Sequence, residues 1–421
     1  MLDFPHCKAD DMNQTLNIDG FHLLGRIDAL AKISSQSDGL TRMVMTKEHR
    51  RANDLVATWM REAGMSVRED AIGNVIGRFE GKAPDAPALM VGSHLDSVRN
   101  AGRYDGPLGV VAAISGVATL HATGARLAHA LEVIGFCDEE GTRFGATMLG
   151  SLAVAGSFDA ATLALRDDED ISLAEAMTRF GLDPARFGDA ERASGELLGY
   201  VELHIEQGPV LEALGLPLAA VTAINGATRL AVALTGVAGH AGTVPMIGRR
   251  DALAAAAECV LAVEAVATRS GLVATVGRLD VKDPAINVIS GHVQFTIDLR
   301  APRDDQRLAT LAELEVQMLN LCAARGVGIT ITKLHELAAT PCAPQLINAV
   351  DSACTNLGLK AHHLASGAGH DGMAMAKLCP IGMIFLRCKA GISHHPDESI
   401  SPEDAALGAR LLLEVMRRPG L

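Results

Sequence analysis

The sequence predicts an α/β fold divided between two domains, one a sheet with helical crossovers and the other a smaller β-rich unit inserted into it. Three observations predict this. The chain has 421 residues, 48% hydrophobic and 21% charged, and single cores stop growing near ~250–300 residues. Short apolar runs alternate with longer amphipathic stretches through the first half, the rhythm of strands joined by helices. From about residue 219 that rhythm gives way to paired, alternating strands, and after about 334 it returns.

In the first half Ala88 to Gly92, Leu131 to Phe136 and Tyr200 to Ile205 read as buried strands, and Thr46 to Ala63, Leu108 to His121 and Ala146 to Ala155 as helices. Asp105-Gly106-Pro107 opens the second helix with an acidic residue and an early proline, whose missing N–H is not needed in a first turn. Residues 157–198 are Asp-rich and read as peripheral helices. Within the insertion Ala219 to Ala223, Thr228 to Thr235, Leu272 to Val281, His292 to Leu299 and Gly328 to Leu334 are strands, with helices over Arg250 to Thr268 and Gln306 to Arg325. A small antiparallel sheet with helices on one face satisfies that order. A helix over Gln345 to Asn356, another after Asp371 and a strand over Ile381 to Leu386 resume the first domain.

Composition excludes several function classes. Fifty acidic against 37 basic side chains give a formal net charge of −13, which disfavours phosphate backbones and anionic lipid. No nucleic acid and no membrane are expected as partners. The longest mostly apolar run, Pro107 to Leu120, is interrupted by Gly and Ser and falls short of the ~18–20 residues that span a bilayer; it reads as a core helix. The first eleven residues lack the basic and apolar regions of a signal peptide. Eight cysteines, Cys7 among them, lie far apart with no C-x-x-C pair, as reduced thiols of a cytoplasmic protein do. Neither disulfides nor a zinc finger is expected.

Chemistry concentrates where strands end. His94 and Asp96 follow the strand ending at Gly92, Asp138-Glu139-Glu140 follow Phe136, His204 and Glu206 close the strand from Tyr200, and Ser393-His394-His395 follow the strand from Ile381. Open α/β sheets place ligand sites at the carboxyl ends of their strands. Taken singly, each histidine is explained as a surface or core residue, and the Asp-Glu-Glu run as a solvated face; four sets at equivalent strand ends are harder to dismiss. Carboxylates and imidazoles crowded together are usually neutralised by a divalent cation. Metal binding is therefore expected.

Gly92-Ser93-His94-Leu95-Asp96-Ser97, Gly102-Arg103-Tyr104-Asp105-Gly106-Pro107-Leu108-Gly109 and Asp138-Glu139-Glu140-Gly141-Thr142-Arg143-Phe144 resemble the hydantoinase/carbamoylase-type amidases of the M20 metallopeptidase superfamily. That branch includes N-carbamoyl-L-amino acid hydrolases, allantoate amidohydrolases and β-ureidopropionases. The resemblance continues through His204-Ile205-Glu206-Gln207-Gly208-Pro209, Gly239-His240-Ala241-Gly242-Thr243, Asn287-Val288-Ile289, Ser366-Gly367-Ala368-Gly369-His370-Asp371 and Gly391-Ile392-Ser393-His394, nearly the whole chain in order. It implies a mixed-sheet, metallopeptidase-like catalytic domain over residues 1–218 and 334–421. An inserted ferredoxin-like α+β dimerisation domain would occupy 219–333 and pair with its counterpart in a homodimer.

The resemblance further implies two divalent metal ions bridged by Asp105, with His94 and His204 completing one and Glu140 and His394 the other. Zn, Mn, Ni or Co suits such ligands. A bridging carboxylate holds two cations ~3.5–4 Å apart, close enough to share one water and lower its pKa. Glu139 would be the general base, and Asp96 would accept the ring proton of His94 and fix its tautomer. Arg300 resembles the family's clamp for a substrate carboxylate. Gln207, His240 and Asn287 resemble its other polar contacts, and Gly369 and His370 lie in a loop placed near the substrate. The plain readings of these residues are a surface Gln, a His in a Gly-rich loop and a turn-capping Asn.

Three departures stand out: His395 replaces a usual Asn and leaves two adjacent imidazoles to choose between, Ser290 replaces a usual Pro, and Gly372 a common Ala. Gly367 to Gly372 also matches G-x-G-x-x-G, but the loop lies late in the chain and no acidic residue follows ~20 positions on to hold a ribose. The expected activity is hydrolysis of a ureido C–N bond, with N-carbamoyl-L-amino acids as first substrate and allantoate or a β-ureido acid as the alternative. Two other classes are a catalytically silent dimer that binds such ligands, which an intact Glu139 disfavours, and nucleotide-dependent oxidoreduction.

Overall fold

The computed structural model describes residues 18–418, so Cys7 and the stretch judged against signal peptides lie outside the described residues. The chain divides into two compact units. The first runs to Thr222 and resumes over Cys342–Leu364 and from His370 onward; the second holds Ala223–Pro341 and Ala365–Gly369.

Helices Gly20–Ala31 and Lys47–Glu62 precede β1 (Ser66–Glu69), β2 (Val75–Phe79) and β3 (Ala88–His94). Helix Pro107–Ala122 leads to β4 (Ala130–Phe136), and short helical segments lead to β5 (Leu197–Ile205) and β6 (Leu218–Ile224). There follow β7 (Gly226–Thr235), β8 (Gly239–His240), helix Ala252–Ser270, β9 (Val273–Thr275), β10 (Leu279–Val281), β11 (Val288–Ile289) and β12 (His292–Ala301). Helix Asp304–Ala324, β13 (Gly328–Leu337), β14 (Thr340–Pro341), helix Pro344–Asn356, β15 (His363–Ser366), β16 (Ile381–Leu386) and helix Pro402–Met416 complete the described chain.

The large sheet has the order β1-β2-β4-β3-β5-β16-β6-β14, with β15 also on β6. It is mixed: β4, β3, β5 and β16 run parallel, while β1, β2, β6 and β14 are antiparallel to their neighbours. Every residue of β3 and β4 is buried, which is why both read as unbroken apolar runs: crossover helices cover a parallel sheet on both faces. The parallel quartet aligns the carboxyl ends of four strands on one edge, and those ends carry the predicted chemistry. Thr46 and Ala63, the expected limits of one helix, are its caps, with the Thr46 hydroxyl accepting the His49 N–H. Pro107 is the first residue of its helix, as the acidic-proline start predicts.

In the second unit β10-β12-β7-β13 form an antiparallel sheet, with β9 also on β12. Helices Ala252–Ser270 and Asp304–Ala324 pack on it around Leu230, Val232, Phe295, Ile297, Leu314 and Met318. A separate ribbon pairs β8 with β11.

Three expectations are corrected. Ala219 to Ala223 joins the large sheet, antiparallel to β16, rather than the small one; alternation alone does not say which sheet a strand enters. Leu272 to Val281 is two strands separated around Gly277. The helix expected from Ala146 starts only at Leu149, because Gly145 and Met148 take left-handed φ values of 72° and 60° that end a right-handed helix. The seven described cysteines are buried free thiols. No helix among the described residues is long and apolar enough to cross a membrane.

Candidate metal centre

His94 is the last residue of β3 and His204 the eighth of β5, so the parallel pairing of these strands sets two imidazoles side by side, ring centroids 6.0 Å apart. Each ring is oriented through Nδ1. That atom lies 3.1 Å from the Asp96 carbonyl oxygen in His94 and 2.9 Å from the Ile205 carbonyl oxygen in His204. Both Nε2 atoms therefore face Asp105, at 3.3 Å and 3.0 Å from its Oδ1. On the other side of the same carboxylate, His394 Nε2 lies 3.2 Å from Asp105 Oδ2 and 3.5 Å from Glu140 Oε1. Ligand atoms of His94, Asp105 and His204 lie within 4.8 Å of one another, as do those of Asp105, Glu140 and His394.

These donors fit two cations. Three imidazoles divide between the two oxygens of one carboxylate, and the buried His204 Nε2 makes no hydrogen bond of acceptable geometry despite its 3.0 Å approach to Asp105. A buried nitrogen left in that state is available to a cation. Burial opposes an imidazolium at His94, yet the Asp105 and Asp96 carboxylates push its pKa well above the usual range. Burial would raise Asp105, yet His204, His394 and His94 hold it well below an ordinary carboxylate. Positive charge is thus drawn to this point of the molecule. Gly106 makes the approach possible: a Cβ there would stand 2.6 Å from His94 Cε1 and from the His94 carbonyl oxygen.

The Asp138-Glu139-Glu140 loop is held by Asp96, whose Oδ1 accepts the Glu139 N–H at 3.0 Å and whose Oδ2 accepts the Glu140 N–H at 3.1 Å. Asp96 Oδ1 lies 3.5 Å from His94 Nδ1, farther than the Asp96 carbonyl oxygen. Its carboxylate orients the two glutamates and its main chain orients the imidazole. Burial, with the neighbouring carboxylates of Glu140, Asp371 and Asp96 reinforcing it and His94 opposing it, raises Glu139 well above the ordinary glutamate range. Burial pushes Glu140 up to about 7. Asp138, Gln207 and His394 have φ of 57°, 57° and 55°; left-handed non-glycine residues gathered at one place are strain of the kind that functional sites keep.

His395 turns away. Its Nδ1 accepts the Asp397 N–H at 3.2 Å, and it belongs to no cluster of potential ligands among the described residues. Gln207 Nε2 donates to Asp105 Oδ2 at 2.8 Å and to Ser393 Oγ at 3.1 Å. His370, expected near the substrate, is 2% exposed and its ring packs edge-on against His204 at 4.6 Å. The next residue, Asp371, also faces inward, accepting the Ser151 hydroxyl at 2.5 Å.

His240, Asn287, Arg300 and Gly369 belong to the second unit. The β8–β11 ribbon brings His240 and Asn287 together, the Ala241 N–H donating to the Asn287 carbonyl at 2.8 Å, and both side chains are exposed. Arg300 lines a cavity of about 650 Å³ with Asn225, Arg229, Asp298 and Gly367. Its Nε and Nη2 pair with Asp298 at 2.9 Å and 3.0 Å, and its Nη1 donates to the Gly367 carbonyl at 2.7 Å. Asp298 also accepts Arg229 Nε at 3.1 Å, so two guanidinium groups share one carboxylate and the cavity keeps a positive excess.

Sequence reasoning missed three buried groups behind the centre. Arg42 is fully buried and donates to the carbonyls of Leu95, Leu30 and Ile33, bracing the turn that carries Asp96. Glu202 accepts the Ser93 hydroxyl at 2.6 Å, tying β3 to β5. Its signal was available, an acid inside the apolar run Tyr200-Val201-Glu202-Leu203. Glu398 lies in a charged run that reads as solvated surface, yet it is 3% exposed.

Known proteins resemble this chain across the segment that holds the described centre. The model of peptidase family M20/M25/M40 matches residues 90–418. The chain belongs to that family. An N-carbamoyl-L-amino acid amidohydrolase of Geobacillus stearothermophilus is 47% identical over 397 residues, covering 94% of this chain and 97% of that protein. A probable allantoate deiminase of Oryza sativa subsp. japonica is 40% identical over 413 residues, covering 90% of this chain and 84% of that one. The solved structure of an amidase of the hydantoinase/carbamoylase family from Burkholderia multivorans superposes with a TM-score of 0.90 at 33% identity, covering 96% of this chain and 98% of that one. The M20 segment takes in all the candidate ligands, from His94 to His394.

Proposed function

We propose that this chain is a dinuclear-metal amidohydrolase that converts N-carbamoyl-L-amino acids, R–NH–CO–NH2 plus water, to the amino acid, carbon dioxide and ammonia. The observation that carries the reading is Asp105, whose two oxygens divide three imidazoles and Glu140 into two sets. Likeness over 94% of the chain to a protein named for that substrate supports the same choice. His94, His204 and Asp105 Oδ1 would hold one cation, and Glu140, His394 and Asp105 Oδ2 the other. Bound there, two cations of the Zn, Mn, Ni or Co kind supply Lewis-acid polarisation of the ureido carbonyl and an acidified water.

The chain's own residues do the rest. Glu139 takes the water's proton and returns it to the nitrogen released as the C–N bond breaks. Asp96 keeps Glu139 and Glu140 in place through their main-chain N–H groups. Gln207 orients Asp105. In the second unit Arg300 recognises the substrate carboxylate. Because Asp298 occupies its Nε/Nη2 edge, the carboxylate takes the free hydrogens of Nη1 and Nη2, a bidentate fit that a lysine lacks. His240 and Asn287 offer further polar contacts. Allantoate, with the same ureido group beside a carboxylate, is the second reading, favoured by the 40% identical deiminase.

A homodimer through the second unit completes the proposal. Leu253 and Leu261 on one helix and Leu308, Val316 and Leu319 on the other are exposed, and β13 is an edge strand of ten residues; apolar faces and long open edges are usually covered by another chain. The deciding experiment is ammonia release from a panel of N-carbamoyl amino acids, β-ureido acids and allantoate, with and without added Mn or Zn. Metal-dependent release from an N-carbamoyl-L-amino acid is expected. No release from any of them by the metal-loaded protein would overturn the reading.

A further inference from the structure

Glu398 occupies a place that its sequence context does not foretell. Its Oε1 accepts the main-chain N–H of Tyr104 at 2.7 Å and of Asp105 at 3.2 Å. Its Oε2 accepts the Ser393 hydroxyl at 3.1 Å. One carboxylate thus ties the backbone that carries Asp105 to the residue that immediately precedes His394, across a sequence separation of 288 residues. The space is shaped for it: a Cβ on Gly102 would collide with the Glu398 carboxyl carbon. All three donors are neutral, so a neutral amide could serve the fold at less desolvation cost. A buried carboxylate that accepts three hydrogen bonds around Asp105 and Ser393 is better explained by what it positions for a cation.

Ser393 shows how. Its single proton has two acceptors, Asp105 Oδ2 at 2.9 Å and Glu398 Oε2 at 3.1 Å, while Gln207 Nε2 donates to the oxygen at 3.1 Å. When Glu398 takes the proton, the Asp105 oxygen that faces His394 and Glu140 is left for a metal ion. When Glu398 is absent, the hydroxyl turns to Asp105 and competes with the metal.

We infer that Glu398 is a positioning residue for the second cation, the one between Asp105 Oδ2, Glu140 and His394, acting through the Asp105 backbone and the Ser393 hydroxyl; the inference rests on the dinuclear reading proposed above. It predicts an effect on one cation and not on the other. Removing an outer partner of a metal ligand typically weakens binding ~10–100-fold.

The test is cobalt(II) titration of chelator-stripped wild type, Glu398→Ala, Glu398→Gln and Ser393→Ala, followed by visible absorption, metal analysis and circular dichroism. Wild type should take up two equivalents. Glu398→Ala should bind the first as wild type does and the second about 10–100-fold more weakly, with an altered spectrum for the second alone. Glu398→Gln keeps the acceptor for the two N–H groups and should recover part of the loss. Ser393→Ala, which leaves the Tyr104 and Asp105 contacts intact, should lose less than Glu398→Ala, and it carries the test if that variant does not fold. Equal weakening of both equivalents, or an unchanged second equivalent in every variant, overturns the inference alone. A wild-type chain that takes up a single cation overturns the dinuclear reading and this inference with it.

Discussion

The two units hold their polar groups in opposite states. In the first, the candidate ligands His94, Asp105 and His204 are buried, at 2%, 6% and 1% exposed, and the His204 Nε2 lacks a hydrogen bond. In the second, His240 and Asn287 are exposed, and Arg300 is half-buried with most of its donors engaged by Asp298 and Gly367. Buried groups that the protein itself does not satisfy are preorganised for a cation and for a reacting atom. Groups that are already satisfied and accessible can exchange partners as ligands come and go. On the function proposed above, the first unit would carry the chemistry and the second the recognition, so substitutions in each should be read in different kinetic constants.

The largest effect belongs to the first unit. Glu139→Gln should lower kcat by ~10²–10⁴-fold, the scale of a lost general base, while KM and metal content stay near wild type. Steady-state kinetics with metal analysis on the same preparation checks both halves. Turnover within a few-fold of wild type, with both metals bound, would remove Glu139 from the role.

Next are the two adjacent imidazoles. His394→Ala should cost the second cation more than the ~10–100-fold typical of outer partners, with activity falling alongside. His395→Ala should leave two equivalents in place, because its ring bonds Asp397 and turns from the centre. If His395→Ala is the variant that empties the site, the orientation of this loop differs when metal is bound.

Here the limits of sequence are visible. The parallel strands were legible because short continuous apolar runs alternate with longer helical stretches, and most of the candidate ligands were legible because they stand at or just beyond strand ends. Ser393-His394-His395 alone could not say which imidazole faces Asp105; that orientation goes with the left-handed φ of His394, a backbone detail no side-chain pattern encodes. Glu398 was hidden for a related reason. A carboxylate three residues beyond His395 looks solvated until the Tyr104–Asp105 turn is placed against it. The burial of His370 was not legible either, since a loop of glycines suggests an open turn and the structure packs the ring on His204.

The second unit should respond in KM. Arg300→Lys keeps the charge but loses the fork, and should cost on the order of 1.5–3 kcal/mol in kcat/KM, about 10–150-fold, almost wholly through KM. A substrate whose carboxylate is amidated should show little difference between wild type and variant. A change below about twofold in the folded, metallated variant is what an exposed ion pair would give, and it would end the contrast between the units.

The last effect lies outside both sites, is read in stability and not in kinetics, and tests whether burial in the first unit also shapes stability. His49 is fully buried, stacks on Phe180 at 4.8 Å, and accepts the Met45 N–H through Nδ1 at 3.0 Å. Burial, aided by Arg42 and Arg50 and opposed by Asp96, pushes its pKa down to about 3. In the unfolded chain the ring titrates near ~6.5. Between these values the unfolded state binds a proton that the folded state refuses, so stability is complete above about pH 6.5 and is lost as pH falls toward 3, by about 1.4 kcal/mol per pH unit at most. Urea unfolding at a series of pH values should therefore show a steeper acid loss in wild type than in His49→Asn. The amide oxygen of that variant can still accept the Met45 N–H but takes up no proton. The variant should be less stable at pH 7, having lost the stack on Phe180, and the two curves should converge as the pH falls. Parallel curves would mean that His49 is protonated in the folded protein, and that the interior beside Asp96 accepts positive charge more readily than its burial implies.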